Sequence, residues 1–159
     1  MTTALHALEG SGIGRMLRES LWAYPAAETL HIIGLATLFG SVLIVDLRLL
    51  GINRGLSVSR LAWHALPWTV GAFMLVMITG LLMFTAHASE LLDNRVFMLK
   101  MGLIGASGLN AALLHTGAMS KVSAWDVNAM PPISVRIAAV LSIVLWVIVI
   151  ACGRLLAYT

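Results

Sequence analysis

Residues 65–86, ALPWTVGAFMLVMITGLLMFTA, run for 22 residues without a charged side chain. A helix needs roughly 17–25 mostly apolar residues to cross about 30 Å of hydrocarbon. Three further stretches reach or nearly reach that length and also lack charged residues when histidine is counted as neutral: 29–45, 101–120 and 137–153. The sequence therefore predicts four transmembrane helices.

The composition supports a membrane protein throughout. Hydrophobic residues make up 60% of the chain and charged residues 11%, with a mean hydropathy of +0.95. Soluble domains are about 45–50% apolar and about 25% charged. Because the connections between the spans are short, neighbouring helices must run antiparallel. We expect an all-α membrane protein, a four-transmembrane-helix up-down-up-down bundle preceded by a short N-terminal amphipathic helix.

The chain divides into two parts. Residues 1–24 are expected to form an N-terminal tail and an interfacial amphipathic helix, because residues 15–24, RMLRESLWAY, mix charged with large apolar side chains. Residues 25–159 are expected to form the transmembrane domain. The predicted spans cover about 25–50, 61–90, 95–118 and 134–157.

Four of the five histidines lie at or just inside the ends of the apolar stretches, where a polar side chain is a candidate for function. Because successive spans cross the membrane in opposite directions, His31 and His87 are predicted to lie near one membrane face, and His64 and His115 near the other. Two neutral imidazoles from facing helices are what a b-type haem requires. The sequence predicts metal ligation of one haem b by His31 and His87, and leaves open a second haem at His115 and His64.

Each histidine also has a simpler interpretation. An imidazole near the membrane surface can bond to a carbonyl group, a lipid headgroup or water. That interpretation suits His64, which is flanked by Trp63 and Trp68. It suits His31 less well, because His31 lies deeper in its span. Cys152 is the only cysteine, so the chain has no C-x-x-C-H site for covalent haem.

Glycines accompany all four histidines on the same helix faces. A flat macrocycle needs helix surface without side chains beside its ligand, although glycine also allows helices to approach closely. Lys100 and Arg95, or Arg48 and Arg136, could bind the haem propionates. The glycines predicted to line haem are Gly34, three residues from His31, and Gly71, Gly80 and Gly108, seven residues from His64, His87 and His115.

The first span, residues 28–51, ETLHIIGLATLFGSVLIVDLRLLG, resembles the leading helix of small bacterial proteins related to the CopD copper-resistance family and to HemJ-type protoporphyrinogen oxidases. Over residues 22–156, including PWTVGAFML, RVFMLKMGL and GLNAALLH, the chain is similar to an uncharacterised bacterial four-span inner-membrane protein family of that general kind. The resemblance implies that His31 is a haem ligand, that Lys100 is a functional basic residue, and that the protein is a multi-pass protein of the bacterial inner (cytoplasmic) membrane.

The leading functional prediction is a cytochrome b-like electron-transfer subunit that passes electrons between the quinone pool and a partner protein. It is expected to be such a subunit rather than an enzyme on its own, because four spans leave no room for an extramembrane domain. Its expected partners are the lipid bilayer, quinone, and a redox partner protein or larger membrane complex. Nucleic acid is not an expected partner, because the net charge of +3 lies in short loops.

Two alternatives stay open. The first is a HemJ-like oxidation of a porphyrinogen. The second is a haem-free membrane subunit or a copper-handling protein with histidine ligands. Nine methionines favour the copper alternative, although Met74, Met77 and Met83 stand at a helical spacing that is more typical of core packing.

Overall fold

The computed structural model describes His6 and residues 8–158, and that part of the chain is helical without a β-strand. Four of its helices are long and apolar enough to cross a membrane: α2, α3, α5 and α6. This confirms the predicted all-α fold with four spans. The helices are α1 (Gly12–Glu19), α2 (Ala23–Leu49), α3 (Val58–Ala86), α4 (Ala88–Asp93), α5 (Arg95–Thr116) and α6 (Ile133–Leu155), with a 3-10 helix over Ala118–Ala124.

The four spans pack in the order α3, α2, α6, α5. Helix α2 lies along α3 and also contacts α6, and α6 lies along α5. Helices α3 and α5 hardly pack on each other, although only the short α4 separates them in sequence. The rings of Phe84 and Phe97 stack between them, with 5.8 Å between centroids. The inner faces of α3 and α5 are therefore less covered by neighbouring helices than the seam between α2 and α3.

The seam between α2 and α3 has one antiparallel register. A Cβ atom at Gly34 would lie 2.8 Å from Val76 Cγ2, so this glycine allows the two helices to approach closely. Further along, the Thr69 hydroxyl donates to Ser41 Oγ at 2.9 Å. The residue numbers of both pairs add up to 110. Along this seam, residues of α2 and α3 whose numbers add up to about 110 therefore lie opposite each other.

At one end of the bundle, Arg48 joins two loops. Its side chain is only 2% exposed. Its Nε donates to the Leu56 carbonyl at 2.7 Å, and its Nη2 donates to the carbonyls of Asp126 and Arg54 at 2.9 and 3.2 Å. A cation that is buried at the end of a membrane helix is thus balanced by three backbone acceptors.

The Asp126 carboxylate strengthens the same junction. It accepts hydrogen bonds from the Ser57 hydroxyl at 2.8 Å, and from the backbone N–H and hydroxyl of Ser59 at 2.8 and 2.7 Å. Ser57 also accepts from the Arg60 N–H, so it caps α3. We call Arg48, Asp126, Ser57 and Ser59 the loop cap. Beneath it, Leu49, Val58, Trp125, Val135 and Ala139 form a buried apolar cluster.

At the opposite end, the N-terminal segment packs over the end of α3. Arg18 Nη1 donates to the Ala86 carbonyl at 2.9 Å. The Glu9 carboxylate accepts from the hydroxyl and the backbone N–H of Ser89, at 2.6 and 2.8 Å. These bonds hold the pKa of Glu9 below its usual value. At Gly14 a Cβ atom would lie 2.9 Å from the Thr85 carbonyl oxygen of α3, so a side chain there would push the N-terminal segment away from α3.

The observed helix ends differ from the prediction at the second span. A single helix over 61–90 was expected, but α3 begins at Val58 and ends at Ala86, and α4 is separate. The helix is interrupted at His87, whose φ and ψ of −139° and 41° are not helical. The Ser89 N–H at this point bonds to Glu9, so the N-terminal segment satisfies backbone that a continuous helix would have paired internally.

Candidate functional site

The strongest candidate site is the imidazole of His31, which lies half-buried in the seam between α2 and α3. Its Nδ1 is 2.9 Å from Thr79 Oγ1, another pair whose numbers add up to 110. The carbonyl of Val76 also lies within hydrogen-bonding range of the imidazole. The ring of His31 is therefore held from the side of α3.

The hydrogen bonds of Thr79 determine the tautomer of His31. The Thr79 hydroxyl is 2.7 Å from the Leu75 carbonyl, which can only accept a proton. With its proton donated there, Thr79 Oγ1 can only accept from His31. The proton of the neutral ring then lies on Nδ1, and the lone pair lies on Nε2. No hydrogen bond from the described residues engages Nε2.

Gly80 allows the edge of this ring to pack directly against the backbone of α3. A Cβ atom at that position would lie 3.3 Å from His31 Cε1 and 3.8 Å from Nδ1. Cε1 is the ring carbon between the two nitrogens, so even an alanine would press on the imidazole. Gly80 was predicted to lie beside His87, but it lies beside His31.

Lys100 brings a positive charge close to the same site. It lies one and a half turns into α5, with Nζ 3.5 Å from the position of a Cβ atom at Gly153 of α6. It is near enough for its charge to act on the His31 imidazole. No carboxylate of the described residues forms an ion pair with it. We call His31, Thr79, Gly80 and Lys100 the His31 site; α2, α3 and α5 each contribute to it, and α6 contacts it.

A family model covers this whole arrangement, since it matches residues 12–159. The chain belongs to the family of unknown function DUF6644. The match includes all four spans and the interfacial α1, so the His31 site lies entirely within the family region. No curated protein and no solved structure matches the chain.

The structure does not bring His31 and His87 together. The ring of His87 lies edge-on to Tyr24, with 5.8 Å between centroids, and its Nδ1 is 3.4 Å from Glu90 Oε2. His31 faces Thr79, and His87 follows Thr79 by eight residues, or about 12 Å along a helix. The axial ligands of one haem must converge on the same iron, whereas these two rings have separate partners about two turns apart along α3, so the structure does not bring them together as the predicted pair.

The second predicted pair is not assembled either. His64 is exposed near the start of α3, and His115 is exposed with its Nδ1 3.1 Å from the Ala111 carbonyl of its own helix. Their two helices hardly pack on each other. Both side chains have the environment expected of histidines at the membrane surface. Gly71 and Gly108, predicted to face haem beside them, have open space where a Cβ atom would lie.

Two other predicted residues have structural roles. Gly34 is buried against Val76 and Leu75, so it provides close helix packing rather than free surface for a macrocycle. Arg48 was predicted to bind a haem propionate, but its Nε and Nη2 are occupied by loop carbonyls. Its location in the loop cap explains why a charged residue at the end of α2 is tolerated.

An open groove of about 400 Å³ lies elsewhere on the seam between α2 and α3. Gly34 and Thr37 line it from α2, and Pro67, Trp68 and Gly71 line it from α3. None of the residues that line the groove belongs to the His31 site, so the groove is a separate feature of the seam.

The His31 site fits haem held through one imidazole, and it does not fit haem held by His31 and His87 together. Thr79 fixes the ring, and among the described residues Nε2 has no hydrogen-bond partner and Lys100 has no ion partner. Within the described ranges, no three His, Cys, Asp or Glu side chains gather as ligands for a metal ion. Haem iron needs fewer ligands from the protein, because the porphyrin itself supplies four.

Proposed function

We propose that this protein is a haem b-binding subunit of a membrane electron-transfer system, and that Nε2 of His31 ligates the iron. The observation that carries the proposal is the chain of hydrogen bonds from His31 Nδ1 to Thr79 Oγ1 and on to the Leu75 carbonyl. Ligating histidines usually donate their other ring N–H in this way, which fixes the tautomer and the orientation of the ring.

The residues of the site have separate tasks in this proposal. Thr79 keeps the proton on Nδ1 and orients the imidazole, and Gly80 leaves room for the ring against α3. Lys100 supplies the cation for a propionate, since its ammonium has no ion partner of its own among the described residues. Bound haem would supply a one-electron carrier, and its apolar surroundings and hydrogen bonds would tune the reduction potential.

The expected partners follow from the same arrangement. The described part of the chain supplies no second imidazole at the depth of His31, so the opposite side of the iron is available to a small molecule or to a residue of a partner protein. We propose the quinone pool and a larger membrane complex as the electron donor and acceptor. A multi-pass location in the bacterial inner membrane belongs to this proposal and rests on the resemblance of the first span.

A HemJ-like oxidation of a porphyrinogen is the second candidate. The resemblance to HemJ-type proteins marks His31 and Lys100, and these are the two residues that the structure brings into electrostatic range. Binding by a single imidazole also leaves the iron more open than a bis-histidine haem. Growth of a bacterial strain that lacks its own protoporphyrinogen oxidase separates the two candidates, since only an oxidase would restore haem synthesis.

The direct test compares two histidine variants purified from haem-replete cells. His31→Ala is expected to lose haem, because it removes the ligand. His64→Ala is the matched control and is expected to keep it, because His64 is exposed and outside the site. Haem content and the reduced-minus-oxidised visible spectrum give the result. Full haem content in His31→Ala would reject the proposal.

A further inference from the structure

A second polar group lies within the membrane region, away from the His31 site. Asp46 occupies the last turn of α2, and its side chain is only 4% exposed. Ser142 of α6 is a hydrogen-bonding neighbour of its carboxyl group. The other carboxyl oxygen, Oδ2, is buried without any hydrogen-bond partner. Aspartate within a membrane span is a candidate functional group unless a partner explains it.

The charged groups around Asp46 do not neutralise it. Arg48, two residues along the same helix, donates from Nε and Nη2 to loop carbonyls, and its Nη1 is buried without a hydrogen-bond partner among the described residues. Arg136, in the first turn of α6, has a buried Nε without a hydrogen-bond partner. Neither forms an ion pair with Asp46, nor does any other described residue. The remaining charged or titratable groups toward this end of the bundle are His64, His115, Asp126, Arg54, Arg60 and Lys121.

A carboxylate in this position would carry an uncompensated charge in an apolar environment, which is costly. Protonation removes the charge and converts one oxygen into a hydrogen-bond donor. A metal cation is a poorer explanation, because hard cations take about six oxygen ligands and the structure offers one carboxyl group and one hydroxyl.

We propose that Asp46 is a proton-binding site of this protein. The carboxylate takes up one proton from water and becomes a neutral carboxylic acid hydrogen bonded to Ser142, and no electron is transferred. The site is independent of haem binding, since Asp46 and His31 are fifteen residues apart on one helix, or about 22 Å. The carboxyl group of Asp46 can therefore hold and release a proton at the end of the bundle beneath the loop cap.

Dicyclohexylcarbodiimide provides the test, because it adds to protonated carboxylic acids in apolar surroundings and not to ionised ones. The detergent-purified full chain is treated near neutral pH, and the adduct is located by peptide mass spectrometry. We expect an adduct at Asp46, complete loss of it in Asp46→Asn, and its retention in Asp126→Asn. Asp126 itself should stay unmodified, since hydrogen bonds from Ser59 lower its pKa and keep it ionised.

Infrared spectroscopy covers the case in which the reagent does not reach the carboxyl group. A protonated Asp46 should contribute a carboxylic acid carbonyl band that shifts in D₂O and is absent from Asp46→Asn. The asparagine variant should fold, because its amide resembles the neutral acid. If wild-type protein shows neither the adduct nor the band, Asp46 is ionised and the proposal is wrong. An adduct at Asp126 but not at Asp46 would also overturn it.

Discussion

Helix α2 carries a polar site at each end, and the two sites differ in how completely their atoms are paired. At the loop cap, Arg48 donates from Nε and Nη2 to three carbonyls from two loops at 2.7–3.2 Å, and only its Nη1 is without a hydrogen-bond partner among the described residues. At the His31 site, one ring nitrogen is bonded and the other is not, and Lys100 has no ion partner in the described structure. A polar group that is largely paired is explained by structure alone. A polar group with an unpaired atom that could bind a ligand is a better candidate for a functional site.

The largest effect on stability is expected from Arg48→Met. Three carbonyls would lose a charged donor and the two loops would lose their link, so the free energy of unfolding should fall by about 3 kcal/mol or more. Haem bound per folded chain should not change. Thermal or denaturant unfolding in detergent measures the effect. Arg54→Met is the matched control, because Arg54 is exposed, and it should cost less than about 0.5 kcal/mol. Equal losses in both variants would contradict a structural role for Arg48.

Thr79→Val tests the His31 site, at the other end of the comparison. It keeps the shape of the side chain and removes the acceptor for His31 Nδ1, so haem affinity should fall by about 10–100-fold. Thr79→Ser should restore it. Thr69→Val is the control: Thr69 makes a similar contact with Ser41 on the same helix seam, so its loss should affect stability and leave haem affinity unchanged. Haem titration of the apoprotein provides the measurement.

Lys100→Met is expected to have a smaller effect, which lowers haem affinity but does not lower the stability of the apoprotein. Haem affinity should fall by about tenfold or less, because one ion pair to a propionate is lost. Stability of the apoprotein should stay equal or rise, because an unpaired ammonium no longer has to be partly buried. Lys100→Arg should keep most of the affinity. If Lys100→Met instead destabilises the apoprotein, Lys100 is part of the structural framework like Arg48.

The smallest effect concerns pH and the loop cap. Hydrogen bonds from the backbone and side chain of Ser59 lower the pKa of Asp126. Because the folded pKa is below the unfolded value, this stabilisation is present above the usual aspartate pKa of about 3.9 and is lost as pH falls through the folded pKa. Solvent screening should limit it to less than about 1 kcal/mol. Unfolding temperatures of wild type and Asp126→Asn should therefore converge in acid, and a constant difference would argue against this coupling.

Much of the fold could be predicted from the sequence, because four long apolar runs admit few arrangements in a bilayer. The packing order was not predictable from run lengths, since α2 contacts both α3 and α6 while α3 and α5 hardly pack. The break at His87 was missed because it depends on contacts from Glu9 and Arg18 to residues far along the chain. Those contacts leave no periodic pattern in the apolar run.

At the His31 site, His31 and Lys100 were identified from the sequence, whereas Thr79 was missed. A signal for Thr79 was present. Two antiparallel helices joined by a short loop place residues at about equal distances from the loop opposite each other. Counted from the predicted span ends at 50 and 61, His31 lies 19 residues away and Thr79 lies 18, and the structure places the two in contact. The same rule places His87 near Tyr24 and about two turns from His31. Sorting the histidines by membrane face alone was too coarse to exclude that pair.

The most direct test of the central claim is the ratio of haem iron to protein in wild-type material purified from haem-replete cells. The account predicts one haem per chain, with absorption bands that sharpen on reduction. Colourless, iron-free protein would contradict it. That result would leave the hydrogen bond between His31 and Thr79 as a contact that only holds two membrane helices together.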